Sequence, residues 1–273
     1  MESGATSELD ALKTRLRATW IAGDFGEIAR FYADQAEDFI KQLNLSPGTA
    51  VLDVACGTGN LALPAARTGA TVTGVDIAPN SIEQARENAK AAGLNVKFDE
   101  GDAEALPYEP ASFDAVVTMF GAMFAPRPDV VAAELKRVCR RGGFIAMANW
   151  TPGGFIGKMF KINATYLPPP PGMASPVLWG VEETVRERFG EGISKLETRL
   201  QNIHWDFPFS PAEVVEHFRL YYGPTQKAFG ALDENSQAAL RKDLEELWAA
   251  NNQASDGRTV VDAEYLEVIA HRV

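Results

Sequence analysis

The chain has 273 residues, 46% of them hydrophobic, enough for one large domain with its own core. Its 37 acidic residues outnumber 26 basic ones, giving a formal charge of −11 with no long Lys/Arg run, which opposes binding to DNA, RNA or another large polyanion. Cys56 and Cys139 form neither a metal-type spacing nor a disulfide framework, and no signal-peptide core or membrane-length apolar run occurs, so a cytoplasmic protein without a metal site or membrane span is expected.

Leu9, Leu12, Leu16 and Trp20 recur at helical spacing over residues 7–22, with Ser7 as the expected N-cap and Asp10 three residues on. A second amphipathic helix is expected after Asp24, with Glu27 as capping partner. Phe25, Ile28, Tyr32, Ala36, Phe39, Ile40 and Leu43 form its apolar stripe, and Ser46-Pro47-Gly48 ends it. Strands then alternate with helices. Apolar strands are predicted near 50–54, 71–76, 95–99, 113–119 and 143–149, and helices near 60–68, 80–92 and 129–140. Asn80 and Glu83 read as a further capping pair. Nearly continuous Val/Ile/Leu strands separated by helices argue a parallel sheet covered on both faces.

The pattern changes after Trp150. Residues 151–178 are rich in Gly and Pro, and Pro168 to Pro171 favour an extended segment. A helix at 181–189, a long strand at 194–207, helices at 211–220 and 233–251, and an alternating final strand at 264–270 complete the chain. With no internal repeat visible, this half reads as completing the sheet with helical insertions.

The first strand runs into Ala55-Cys56-Gly57-Thr58-Gly59. Glycines serve where backbone approaches a ligand closely or takes positive φ, and a strand–turn–helix unit of a parallel sheet puts a ligand at the carboxyl ends of the strands. Gly57-x-Gly59-x-x-Ala62 also meets the loose dinucleotide fingerprint, a weak signal alone. Three carboxylates sharpen it. Asp53 lies inside the first strand, where a buried charge is costly unless a ligand ammonium or a water and backbone network pairs with it. Asp76 ends the second strand, where it can accept from two ribose hydroxyls or simply cap the next turn. Asp102, after the third strand, can accept from an adenine amino group.

The segments Val51–Asn60, Gly74–Ala78, Gly101–Pro107, Ser112–Val116 and Arg141–Phe144 resemble the successive motifs of class I S-adenosylmethionine (SAM)-dependent methyltransferases, most closely the quinone-biosynthesis (UbiE-like) and small-molecule branch. The resemblance spans about residues 20 to 150. It implies an α/β, Rossmann-like seven-stranded sheet, mostly parallel with an antiparallel final strand and helices on both faces. One domain would cover 1–273: N-terminal cap helices at 1–45, a SAM-binding core at 46–150, and sheet completion with lid and acceptor-site insertions at 151–273. SAM would be the cofactor and S-adenosylhomocysteine the product. By position, Asp53 would meet the methionine amino group, and the backbone of Ala55, Cys56, Gly57 and Gly59 would line the methionine. Asp76 would hold the ribose, Ile77 would pack on adenine, and Asp102 with the Ala103 backbone would meet its amino group. Met119 and Phe120 would lie near the transferred methyl. Ala55 stands where the family usually has Gly, a change the turn is expected to tolerate. Trp20, Phe25 and Tyr32 would cover the cofactor, Trp20 foremost, or else belong only to the apolar stripe.

A small-molecule acceptor pocket is expected from Gly121–Phe124, residues 151–180 and the helices before the final strand. Phe124, Trp179 and Tyr222 are its candidates, with Pro176–Gly180 and Tyr221–Pro224 as lid segments. Trp179 and Tyr222 read equally well as packing residues. His204, beside Trp205, is a candidate base, although a lone strand histidine is more often structural. His217 and His271 read as surface or packing residues. The expected reaction is in-line transfer of the sulfonium methyl to an O, N, S or C nucleophile of a small apolar or neutral acceptor. Two other readings compete: an NAD-type oxidoreductase on the same turn, and a non-catalytic SAM-binding module. Asp53 and the Gly101–Ala103 segment count against the first, the long segment after Trp150 against the second.

Overall fold

The computed structural model describes residues 2–170 and 173–273; Pro171, the end of the expected extended segment, lies outside them. Strands β1 (Ala50–Val54), β2 (Thr71–Asp76), β3 (Val96–Glu100), β4 (Phe113–Met119), β5 (Cys139–Trp150), β6 (Ile193–Phe207) and β7 (Thr259–Arg272) form one sheet in the order β3-β2-β1-β4-β5-β7-β6. Pairings among β1 to β5 are parallel, and β7 runs antiparallel to both β5 and β6. The central strands are buried on both faces, which explains their nearly continuous apolar runs.

The helices are α1 (Glu2–Ala22), α2 (Gly26–Ala29), α3 (Ala33–Gln42), α4 (Ala62–Arg67), α5 (Pro79–Ala91), α6 (Pro128–Val138), α7 (Phe155–Tyr166), α8 (Glu182–Phe189), α9 (Pro211–Tyr221), α10 (Gly223–Ala231) and α11 (Glu234–Asn251). Several differ from expectation. Helix α1 spans Glu2–Ala22, so Ser7 lies within it rather than at its start. The expected second helix breaks into α2, a 3-10 turn at Arg30–Tyr32, and α3. The break falls at Tyr32, whose φ of −136° leaves helical geometry and whose side chain is buried. Asp24 Oδ1 accepts from the Gly26 N–H at 3.1 Å, with no reciprocal bond from Glu27. Helix α5 is capped at Ala78 with Pro79 as its first residue, so Asn80 is already helical. The Asn80 side-chain amide instead donates to the Ile21 and Gly23 carbonyls, tying the end of α1 to α5.

Helix α7 falls in the Gly- and Pro-rich stretch 151–178, ahead of Pro168, where no helix was expected; Phe155, Ile156, Gly157 and Met159 are its buried residues. Helix α10 was likewise unforeseen, and Tyr221–Pro224 is its junction with α9 rather than a lid loop. Ser210 and Glu213 form a full capping box at the start of α9. On one face of β5 to β7, Trp205 stacks on Trp248 of α11 at 5.9 Å, and Phe155 meets Trp248 edge-on at 4.4 Å. Between β1 and β4 the strand order reverses direction. The crevice outside the carboxyl ends of those two strands is the place where a doubly wound sheet receives a ligand.

Candidate functional site

Two turns meet at that crevice. After β1, Ala55, Gly57 and Gly59 take φ of +57°, +52° and +95°; after β4, Phe120 takes +54°. A Cβ on Gly121 would lie 2.6 Å from the Ala55 Cβ and 2.8 Å from its carbonyl oxygen, so only glycine lets the turns approach this closely. Ala55 is thus more than a neutral replacement. A β-carbon in the left-handed region costs roughly 1–2 kcal/mol.

The turn is clamped by carboxylates. Asp76 Oδ2 accepts the Gly57 N–H and Oδ1 the Ala78 N–H, each at 2.9 Å. Asp53 is 1% exposed and accepts one backbone bond, from the Ala62 N–H in the first turn of α4 at 2.9 Å. Burial pushes the Asp53 carboxyl well above its ordinary range; the Ala62 bond opposes this and the Asp76 charge adds to it. Burial also raises Asp76, against the pull of its backbone donors. Asp102 Oδ1 accepts the Glu104 N–H at 2.8 Å, and Oδ2 lies 2.6 Å from the Lys13 ammonium.

Three cavities adjoin here. The first, about 860 Å³ and partly open to solvent, holds Asp76, Ile77, Asp102, Ala103 and Met119, roofed by Lys13, Leu16 and Trp20 of α1. The second, about 270 Å³, holds Asp53, Cys56, Asn60, Leu61 and Tyr32. The third, about 300 Å³, is walled by Ile28, Trp150, Ile156, Met159, Trp205, Phe218 and Tyr222, with no charged residue. Phe25 lines all three; Met119 is shared by the first and second, Tyr32 by the second and third, and Phe120 by the first and third. Burial raises the Tyr32 and Tyr222 phenols, so both stay protonated at neutral pH.

Of the residues singled out in the sequence, Trp20, Asp53, Ala55, Cys56, Gly57, Asp76, Ile77, Asp102, Ala103 and Met119 line the first or second cavity. Gly59 lines none of the three. Its N–H bonds the Cys56 carbonyl at 2.9 Å, so its role is to turn the chain. Phe124 lines the first cavity, edge-on to Trp20 at 5.0 Å, whereas Tyr222 lines the third. Trp179 lines none: it is 1% exposed, with Arg188 4.6 Å over its ring and Phe189 edge-on at 6.0 Å. It is a packing residue. His204 is also corrected. The alternation of β6 turns Trp205 inward and His204 outward, where its Nδ1 sits 2.8 Å from Asp262 Oδ1, and His204 lines none of the three cavities. Lys13, Leu16, Asn60 and most of the third cavity were missed. Lys13, Leu16 and Trp20 do follow helical spacing, so that face was legible; Ile156 and Met159 were hidden with the unforeseen α7. Among the described residues no cluster of three or more His, Cys, Asp or Glu could hold a metal, and no helix is long and apolar enough to cross a membrane.

Residues 51–143 match the family model described as a methyltransferase domain. Across 269 residues the chain is 38% identical to the uncharacterized protein Rv1403c of Mycobacterium tuberculosis, covering 98% of this chain and 97% of that one. Methyltransferase GfsG of Streptomyces halstedii is 41% identical over 116 residues, 41% of this chain and 42% of its own. The structure of a geranyl diphosphate methyltransferase in complex with SAM shares the fold at a TM-score of 0.52 and 19% identity, over 89% of this chain and 86% of that one. The matched segment runs from β1 to the start of β5 and contains the glycine turn and the strand ends that carry Asp76 and Asp102, which sets the oxidoreductase reading aside. The chain belongs to the class I SAM-dependent methyltransferases.

Proposed function

We propose that the protein methylates a small, uncharged and largely apolar acceptor, leaving S-adenosylhomocysteine. The observation that carries this reading is the division of the three cavities: carboxylates line the first two, and none lines the third. They meet at Phe25, Tyr32, Met119 and Phe120, where a methyl group would pass from one side to the other.

The residues suit the cofactor. Asp53 is a buried carboxylate with one backbone donor, and an ammonium beside it would restore its charged form. Each Asp76 oxygen accepts one amide bond and keeps capacity for a ribose hydroxyl. Ile77 offers an apolar face to adenine, and Asp102 an acceptor for its amino group. SAM supplies an electrophilic methyl on a good leaving group, which leaves the protein the work of alignment and water exclusion. Tyr32, Phe120 and Tyr222 wall the acceptor side with rings and neutral hydroxyls. None is a base at neutral pH, and His204 points away. The acceptor therefore needs a nucleophile that reacts before losing a proton, such as a neutral amine.

Calorimetry with SAM, S-adenosylhomocysteine and NAD tests the cofactor side, and a panel of neutral and charged acceptors followed by mass spectrometry tests the other. Binding of SAM with turnover confined to neutral, apolar acceptors is expected. Binding of NAD alone would overturn the cofactor reading. SAM binding without turnover across a broad panel would favour a non-catalytic module, and turnover of charged acceptors alone would overturn the acceptor class.

A further inference from the structure

Asp102 does not line the first cavity alone. The Lys13 ammonium lies 2.6 Å from Asp102 Oδ2 and 2.7 Å from Glu104 Oε2. The Glu104 carboxylate is fully buried and also holds Arg127, through its Nε at 2.8 Å and its backbone N–H at 2.6 Å. The Lys13 ammonium is therefore fixed at two points, with its side chain only 20% exposed, and Lys13 itself lines the cavity. An ammonium has three donors, of which two are engaged here; a carboxylate oxygen accepts about two bonds, so Asp102 Oδ2 keeps one. The site presents a donor and an acceptor side by side, 2.6 Å apart. Adenine offers the complement on one edge: an amino group that donates, flanked by a ring nitrogen that accepts.

We propose that Lys13 is a further cofactor-binding residue, which with Asp102 reads the amino and ring-nitrogen edge of adenine. The inference rests on the reading of Asp102 given under the proposed function. Asp102 accepts from the amino group, and Lys13 donates to the neighbouring ring nitrogen. Burial alone would favour the neutral amine, but the hydrogen bonds to Asp102 and Glu104 outweigh it and keep the group an ammonium. Because Lys13 stands on α1, the same contact makes the seating of that helix sense whether adenine is in place. Arg17, one turn on, reaches Glu100 at 2.5 Å, but both side chains are about half exposed and the pair adds little.

The test is a cycle between Lys13→Met and the base of the ligand. S-adenosylhomocysteine and its 1-deaza and 7-deaza analogues are titrated calorimetrically into the wild-type protein, Lys13→Met and Lys13→Arg. Lys13→Met is expected to weaken S-adenosylhomocysteine by roughly 5- to 30-fold. For one of the two analogues, the one lacking the nitrogen that Lys13 addresses, the loss shrinks to within about twofold. The wild type binds that analogue correspondingly more weakly, a result that stands even if the variant folds poorly, and Lys13→Arg retains most of the affinity. Equal losses for all three ligands would show that Lys13 only seats α1 and overturn the proposal, as would no loss at all. Failure of the wild type to bind S-adenosylhomocysteine would instead overturn the cofactor reading, and this inference with it.

Discussion

Asp53 costs stability for as long as its charge is buried beside one backbone amide. An unfolded aspartate titrates near 3.8, and burial raises the folded value well above that. Between the two values the folded state holds more protons than the unfolded one, so stability falls as pH rises through that interval, and the cost persists at neutral pH. Asp53→Asn removes the charge and keeps an oxygen for the Ala62 N–H. Without ligand it is expected to gain on the order of 1 kcal/mol in denaturant unfolding at about pH 7, the gain fading below about pH 4. S-adenosylhomocysteine should bind at least about tenfold more weakly, because its ammonium loses its partner. A variant that lost both stability and affinity would show that Asp53 only holds the turn. Ala55 makes the companion case. Since its φ is +57°, Ala55→Gly relieves strain in the folded state while adding freedom to the unfolded chain. Relief is the larger effect, and a gain of about 0.5–1 kcal/mol in the same unfolding assay is expected. A loss of stability would mean that the Ala55 methyl packs more favourably than its strain costs.

The strands at the centre of the sheet were readable because burial on both faces leaves mostly apolar residues, and the observed bounds at Ala50–Val54 and Phe113–Met119 follow those runs. Elements whose identity depends on tertiary contact were harder. Phe155 to Tyr166 carries a helical apolar face, but Gly153, Gly154 and the prolines after Leu167 mask it, and its stability comes from packing against α11 and β7. Tyr32 interrupts a stripe that looks continuous because its ring is drawn between Phe25 and Phe120. The glycine turn and two acidic strand ends carried the candidate site. Lys13 did not, since a helix-face lysine looks solvated until the carboxylates opposite it are known. Strand alternation, by contrast, could have removed His204. With Trp205 inward, its neighbour must face out. His204→Ala is therefore expected to leave kcat/KM within about twofold of wild type across the neutral pH range. A hundredfold fall, or loss of a titration near the histidine range, would restore it as a base.

At the scale of the whole molecule, the sheet divides the labour. The acids that face the first two cavities sit on β1, at the end of β2 and after β3. The third cavity is built instead from the other half, by β5, β6, α7 and α9, with α2 and the 3-10 turn closing over it. The family match covers the first half and stops near the start of β5, so the acceptor side lies largely outside it. Such a division predicts that cofactor and acceptor binding respond to different substitutions. Met159 is the probe: it is buried on α7, lines only the third cavity and touches no charged group there. Met159→Ala removes packing and costs about 2–5 kcal/mol, less where the neighbouring rings relax. Affinity for S-adenosylhomocysteine should stay within about twofold, while KM for a neutral acceptor found in the panel changes severalfold and bulkier homologues gain in kcat/KM. If the cofactor affinity moved and acceptor preference did not, the third cavity would be an extension of the cofactor site, and acceptors would have to enter through the open mouth of the first.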